Sequence, residues 1–449
     1  MKKILIVWLA VLLPVLTWAQ VDNPPGDADV QRYLQKANEG NVDAQYNMGL
    51  CYEHGYGVAQ SYADAVYWYR KAAEQGDVEA QCHLARCYQE GQGVQQSYPE
   101  AVRWWRMAAN QGVLAACFEM GNCYDKGLGV EQSYTEAMRW WRQAADKGLA
   151  EAQNNVALYY YEGLGVDPST DEALYWWRKS AAQGDAGGLY ALGNCNLYGS
   201  GMKKSESEAC RYFFQAASLN YAAAQDALGS CYENGVGVEK DSAEAVQWYR
   251  RAAEQEYAKG QCHLAHCYES GIGVSRSQDE ALRWYNRAAD NGDGDGLYHM
   301  GIMYYKGAGV KQSYVEAVHH FHRAAEMGSA AAMNALGMCY DAGKGVEKDP
   351  VEAVHWYRKA AEQGYIEGQY NLGVCYDVGS GVERSYVDAV QWYRIAAMQG
   401  YSDAQFALAM CYYKGTGVDR SVSEAMAWWR KSAAQGNRKA QRMLDRFSK

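Results

Sequence analysis

The sequence predicts an all-α protein, an α-solenoid built from helix–turn–helix repeats of 36 residues. Two observations support this fold class. The pattern that begins at Ala44 restarts ten times without insertion or deletion, so eleven copies occupy residues 44–439. Every copy also carries two glycines at fixed places and a Ser or Asp three residues before an acidic residue. One helix pair of this size cannot bury its apolar face alone, so successive pairs are expected to stack.

The composition agrees with one pattern copied many times. The 449 residues include 46 Gly, 38 Tyr and 15 Trp, but only 6 Phe and 6 Pro. Hydrophobic residues make up 49% and charged residues 21%, which excludes an intrinsically disordered chain. The net charge of −10 argues against nucleic-acid binding, because proteins that bind nucleic acid carry basic patches.

Residues 1–19 have the features of a secretory signal peptide. Lys2 and Lys3 precede an apolar stretch over residues 4–16, and Thr17–Ala19 resemble a cleavage site. The apolar stretch is shorter than the roughly 20 residues of a membrane-spanning helix. We therefore expect an exported protein, periplasmic or secreted, with no transmembrane segment in the mature chain. Residues 20–43 are interpreted as an N-terminal segment and capping helix.

Each repeat encodes its own helix boundaries. With Ala44 as position 1, small or apolar residues at positions 1, 5, 8, 9 and 12 form one face of a first helix. Glycines at positions 12 and 14 end that helix. A Ser or Asp at position 18 and an acid at position 21 predict a capping box that starts a second helix. Position 26 is always aromatic, and residues 440–449 are interpreted as a C-terminal capping helix.

These residues carry a family resemblance. The pattern AxxxLGxxYxxGxGVxxSxxEAxxWYRxAAExG closely resembles the Sel1-like repeat, a relative of the tetratricopeptide repeat, over residues 44–439. The resemblance implies a right-handed superhelix whose first helices line the concave side. It also implies a scaffold or adaptor that binds other proteins, which in bacteria is often exported.

Variable positions 3 and 10 of the first helix are the candidate protein-binding surface, because they would face that groove. Tyrosines alternating with carboxylates suit a protein or peptide with a basic segment. The alternative is that the tyrosines pack over neighbouring helices and the carboxylates are solvated. The candidate residues are Tyr46, Glu53, Phe118, Tyr161, Tyr190, Glu233, Tyr298, Tyr305, Tyr370, Asp377, Phe406 and Tyr413.

Cysteine and histidine are the side chains that could carry chemistry. Nine of the 13 cysteines occupy position 8 on the predicted core face, which favours buried thiols. Cys210 is placed where it could face Cys195 or Cys231, so one disulfide is an alternative. Seven of nine histidines lie between His263 and His355. His319 and His322 have a spacing that could hold a metal, but His320 replaces the core Trp and His322 replaces a common Arg, which favours substitution over a metal site.

The sequence therefore predicts a non-enzymatic scaffold without cofactor or metal. No GxSxG, HExxH or CxxC motif is present. Two alternatives stay open. Cysteine-rich Sel1-like relatives suggest a weak hydrolase or β-lactam-binding protein, and a repeat rod could also be a purely structural envelope spacer. Repeat five, residues 188–223, departs most from the pattern, which suggests either drift, a bend or a partner contact.

Overall fold

The computed structural model describes residues 26–447, which contain 24 helices and no strand. The chain divides into two compact units, the first ending at Leu219 and the second beginning at Asn220. The predicted signal peptide, residues 20–25 and the last two residues lie outside the described part. None of the helices within residues 26–447 combines the length and the apolar character needed to cross a membrane.

Helices follow one another in antiparallel pairs in each unit, as predicted for an all-α repeat solenoid. The first unit contains α1 (Asp27–Asn38), α2 (Val42–His54), α3 (Tyr62–Glu74), α4 (Val78–Glu90), α5 (Tyr98–Asn110), α6 (Leu114–Lys126), α7 (Tyr134–Asp146), α8 (Ala150–Glu162), α9 (Thr170–Ala182), α10 (Ala186–Tyr198) and α11 (Glu206–Ser218).

The second unit continues the same alternation of first and second helices. It contains α12 (Ala222–Asn234), α13 (Ser242–Glu254), α14 (Ala258–Ser270), α15 (Gln278–Asp290), α16 (Gly294–Lys306), α17 (Tyr314–Glu326), α18 (Ala330–Ala342), α19 (Pro350–Glu362), α20 (Ile366–Val378), α21 (Tyr386–Met398), α22 (Ser402–Lys414), α23 (Val422–Ala434) and α24 (Arg438–Phe447). Even-numbered helices from α2 to α22 are the first helices of their repeats.

The predicted caps are present, with one difference. The Ser61 hydroxyl accepts a hydrogen bond from the backbone N–H of Asp64 at 3.2 Å, and α2 ends at Gly55 with φ of 75°. The reciprocal half of the predicted capping box is replaced. The backbone N–H of Ser61 donates to the carbonyl of Tyr52, at 2.9 Å, instead of to the acidic side chain. The turn is therefore tied to the preceding helix.

Small residues let the large aromatic side chains pack inside each repeat. A Cβ atom added to Gly121 at position 6 would lie 2.3 Å from Nε1 of Trp141 at position 26. That nitrogen donates to the carbonyl of Phe118 at 3.1 Å, and the Trp141 side chain is 2% exposed. The glycine at position 6 therefore makes room for the aromatic ring at position 26 of the same repeat.

Buried glutamines join successive repeats, a feature not predicted from the sequence. Gln81 at position 2 donates to the carbonyl of Ala73 at 3.2 Å, and its side-chain oxygen accepts from Gln111 at 3.0 Å. The same position is Gln in seven repeats, so its recurrence was visible in the sequence. Those residues are Gln45, Gln81, Gln153, Gln225, Gln261, Gln369 and Gln405.

Candidate functional site

The candidate residues lie on the first helices, at positions 3 and 10. These positions are seven residues apart, about two helical turns, so they share one side of each helix. We call this side, formed by positions 3, 4, 7 and 10, the first-helix face. We describe it within each unit separately.

Aromatic residues at position 3 pack on the core ring at position 26 of the same repeat. Four tyrosines of this set are half-buried, whereas Phe118 is buried. Their ring centroids lie at closely similar distances from the core ring. The pairs are Tyr46–Tyr69 at 5.9 Å, Phe118–Trp141 at 6.5 Å, Tyr190–Phe213 at 5.7 Å, Tyr298–Phe321 at 5.9 Å and Tyr370–Tyr393 at 5.8 Å. The position-3 rings are therefore held by the core.

Carboxylates at position 10 have internal partners, a role not predicted from the sequence. The hydroxyl of Tyr249 donates to Glu233 at 2.7 Å, and that of Tyr393 donates to Asp377 at 3.3 Å. Tyr69 donates to Glu53 in the same way. These carboxylates satisfy hydroxyl groups of core tyrosines, which would otherwise lose hydrogen bonds on burial.

The remaining candidates have different surroundings. Tyr161 is 41% exposed and packs on Trp177, with centroids 5.4 Å apart. The hydroxyl of Tyr305 accepts from Nζ of Lys344 at 2.9 Å. The last two candidates are next to the C-terminal helix. Tyr413 packs on Phe447, and half-buried Phe406 lies against the core cluster that contains Trp429.

Glu53 is the centre of a buried polar network in the first unit. Its carboxylate accepts from the hydroxyl of Tyr69 and lies 3.1 Å from Nδ1 of His83. A second contact of 3.1 Å joins it to Nη2 of Arg86. Burial by itself would raise the pKa of Glu53. Hydrogen bonds from His83 and Tyr69, with the charge of Arg86, outweigh burial and lower this pKa to about 2.

The lowered pKa of Glu53 predicts a pH-dependent contribution to stability. The ordinary value is 4.5, so ionised Glu53 stabilises the folded state above that pH. This contribution, about 3 kcal/mol, is lost as the pH falls from 4.5 towards 2. We expect Glu53→Gln to be less stable than the wild type at pH 7, with a gap that shrinks in acid.

The measurement is the free energy of unfolding in urea as a function of pH. The control variant is Glu74→Gln, because Glu74 is exposed on α3 and should leave the difference from wild type unchanged with pH. If the difference in unfolding free energy between Glu53→Gln and the wild type is the same at neutral and acidic pH, the network does not stabilise ionised Glu53.

Histidines and carboxylates form a second polar group, on the first-helix face of the second unit. Nδ1 of His263 lies 2.6 Å from buried Asp226. This contact raises the pKa of His263, because the hydrogen bond and charge of Asp226 outweigh the opposing effect of burial. Nδ1 of His299 lies 3.8 Å from Glu269, which also accepts from the hydroxyl of Tyr285. Burial lowers the pKa of His299.

The cysteines and histidines support neither a reactive thiol nor a metal site. The position-8 thiols are buried, and burial raises the pKa of Cys87 to about 12, so the reactive thiolate is scarce. Cys195 is a thiol, so the alternative of a disulfide between Cys195 and Cys210 is wrong. Within residues 26–447, no group of three or more His, Cys, Asp or Glu side chains is arranged to hold a metal ion. His320 is buried and stacks on Tyr304.

Comparison with known proteins identifies the repeat. The Sel1 repeat matches eleven consecutive segments of 36 residues, from 42–77 to 402–437. The first matched segment starts at residue 42, two residues before the repeat defined from Ala44. A solved structure is similar over most of the chain: c5321, a protective antigen present in uropathogenic Escherichia coli strains, which displays an SLR fold. It is 33% identical, covers 90% of this chain and 86% of its own, and has a TM-score of 0.62.

A second relative is a Sel1 repeat protein from Oxalobacter formigenes. It is 31% identical, covers 67% of this chain and 88% of its own, and has a TM-score of 0.48. No curated protein matches the chain. Proteins built from this repeat are generally protein-interaction scaffolds and are typically non-catalytic. The eleven matched repeats and the similarity to c5321 together show that the chain belongs to the Sel1 repeat family.

Proposed function

We propose that this protein is a non-enzymatic scaffold that binds a protein or peptide along the first-helix face. The observation that carries the proposal is the recurring ring pair of that face. In both units a half-buried tyrosine at position 3 packs against a core ring, as Tyr190 and Tyr370 do. A tyrosine held in this way offers large contact area while losing little conformational entropy on binding.

The chemistry of the face favours a basic partner. The chain carries a net charge of −10, and half-buried Glu233 and Glu269 lie on this face in two successive repeats of the second unit. Complementary charge speeds association and selects partners, and it is screened by salt. We further propose that the protein is exported and acts in the periplasm or outside the cell. The features of residues 1–19 support this location.

A displayed library of random peptides tests the binding function, since selection from it requires no identified partner. We expect selection on the wild-type protein to enrich peptides. These peptides should bind the triple variant Tyr190→Ala, Tyr298→Ala, Tyr370→Ala at least about tenfold more weakly than they bind the wild type. The matched control is Tyr67→Ala, Tyr175→Ala. These tyrosines are 51% and 48% exposed on the second helices, away from the proposed face. Far-ultraviolet circular dichroism must show unchanged helical content in both variants.

Each outcome decides between functions. Weakened binding by the triple variant, with unchanged binding by the control, supports the first-helix face as the binding surface. Equal binding by all three proteins would mean that peptides dock elsewhere. If the wild type enriches no peptide, the purely structural spacer becomes the better explanation.

A further inference from the structure

Four tyrosines of the second unit lie at or near the starts of first helices. Tyr298 lies in α16 and Tyr370 in α20, while Tyr365 and Tyr401 directly precede α20 and α22. The rings of Tyr370 and Tyr401 are 5.4 Å apart and tilted by 59°. All four side chains are half-buried and rest on core clusters of their repeats. Tyr370 and Tyr401, the pair whose rings are in contact, form an aromatic corner that is partly open to solvent.

Two of these tyrosines occupy positions where a helix usually has a small polar residue. Tyr365 and Tyr401 are the N-cap residues of their helices, and neither side chain makes a capping hydrogen bond. In α4, the Asp77 side chain makes this bond to the N–H of Ala80 at 2.7 Å. A good cap contributes about 1 kcal/mol to helix stability. The helix ends therefore do not explain tyrosine at these two positions.

Two carboxylates lie next to the aromatic corner, and neither is neutralised by a basic side chain of the described residues. Glu367 and Asp403 lie in the first turns of α20 and α22. Glu367 lies three residues before Tyr370 in α20, so the two side chains share one side of that helix. Burial, followed by the charge of Glu367, raises the pKa of Tyr365. Asp403 accepts from the amide of Asn437 at 3.1 Å. Within residues 26–447, neither Glu367 nor Asp403 takes part in a salt bridge.

The same unit already contains an ammonium group placed between tyrosines. Nζ of Lys344 lies 5.0 Å from the ring centroid of Tyr305 and 5.2 Å from that of Tyr314. Lys344 also donates to the hydroxyl of Tyr305. This arrangement shows the geometry by which paired tyrosines of this protein accept a cation, through the negative faces of the rings.

We propose that Tyr370 and Tyr401, with Glu367 and Asp403, bind a lysine or arginine side chain from a basic, extended segment of a partner protein. The rings would hold the cation by cation–π contact, and the two carboxylates would complement its charge. This proposal rests on the proposed function and adds to it one site and the side-chain class that the site accepts.

Fluorescence anisotropy with labelled peptides tests the site. The probes are a glycine–serine peptide that carries lysines, its arginine counterpart and its fully lysine-acetylated counterpart. We expect the lysine and arginine peptides to bind the wild type, and acetylation to weaken binding at least about tenfold, because it removes the charge. The variant Glu367→Gln, Asp403→Asn should weaken binding of the lysine peptide to a similar extent.

The control variant is Glu239→Gln, Glu254→Gln, which changes the net charge equally at exposed positions four repeats before Tyr370. It should bind within about twofold of the wild type, since exposed charges further than a Debye length are screened. A ring variant, Tyr401→Leu, should also weaken binding. Leucine is compatible with that position, because Leu149 is the N-cap residue of α8.

Three results would overturn the proposal: equal loss of binding in the two charge variants, unchanged binding by Tyr401→Leu, or undiminished binding of the acetylated peptide. Failure here is distinguishable from failure of the proposed function. Library peptides without basic residues that still require Tyr190, Tyr298 and Tyr370 would leave a binding scaffold in place and remove only the cation site. A library that yields no peptide would remove both.

Discussion

Replacing Trp141 with alanine is expected to lower the free energy of unfolding by about 3–5 kcal/mol, because it empties a large, close-packed site. The side chain is 2% exposed and rests against Gly121, which has no Cβ atom. Its ring meets that of Tyr159 edge-on at 4.8 Å, and its N–H bonds the carbonyl of Phe118. The variant loses contacts with both the first helix of its own repeat and that of the next.

Urea unfolding followed by circular dichroism measures this loss. The control is Tyr175→Ala, because Tyr175 lies on the second helix of the next repeat and is 48% exposed. Surface substitutions usually change stability by about 0.5 kcal/mol or less, so the control should unfold close to the wild type. A Trp141→Ala protein as stable as Tyr175→Ala would contradict the packing described for position 26.

Gly93→Ala is expected to destabilise the protein by about 1–3 kcal/mol more than Gly76→Ala. Both glycines have positive φ, 68° and 97°, so both substitutions carry the backbone strain of an L-residue in that region. Their surroundings differ. A Cβ atom on Gly93 would lie 2.2 Å from the backbone of Tyr62 in the preceding repeat, whereas nothing lies within 4 Å of one on Gly76.

The difference between these two variants isolates the contact between repeats from the strain within a turn. Equilibrium unfolding of both variants under the same conditions gives it directly. If the two alanine variants are equally destabilised, the close approach of position 14 to the preceding second helix contributes nothing. The glycine at that position would then be explained by its backbone conformation alone.

The positions of the candidate binding residues were only partly predictable from the sequence. Their place on the first helices followed from the period of the repeat. The partners of Glu53 did not, because Tyr69 lies on α3 while His83 and Arg86 lie on α4 of the next repeat. Glutamines recur visibly at position 2, but the bonds of one such residue to Ala73 and Gln111 depend on how one repeat stacks on the next.

The amino-acid sequence by itself determined the all-α class, the 36-residue repeat and the helix ends, because caps, glycines and apolar periodicity act over a few residues. Even Asn220 and Glu256, which replace glycine, adopt the positive φ that their positions require. The tertiary structure alone decided which polar groups meet. Glu53 and His83 are 30 residues apart in the chain and become neighbours only when successive repeats stack, since burial and charge act through space and not along the sequence.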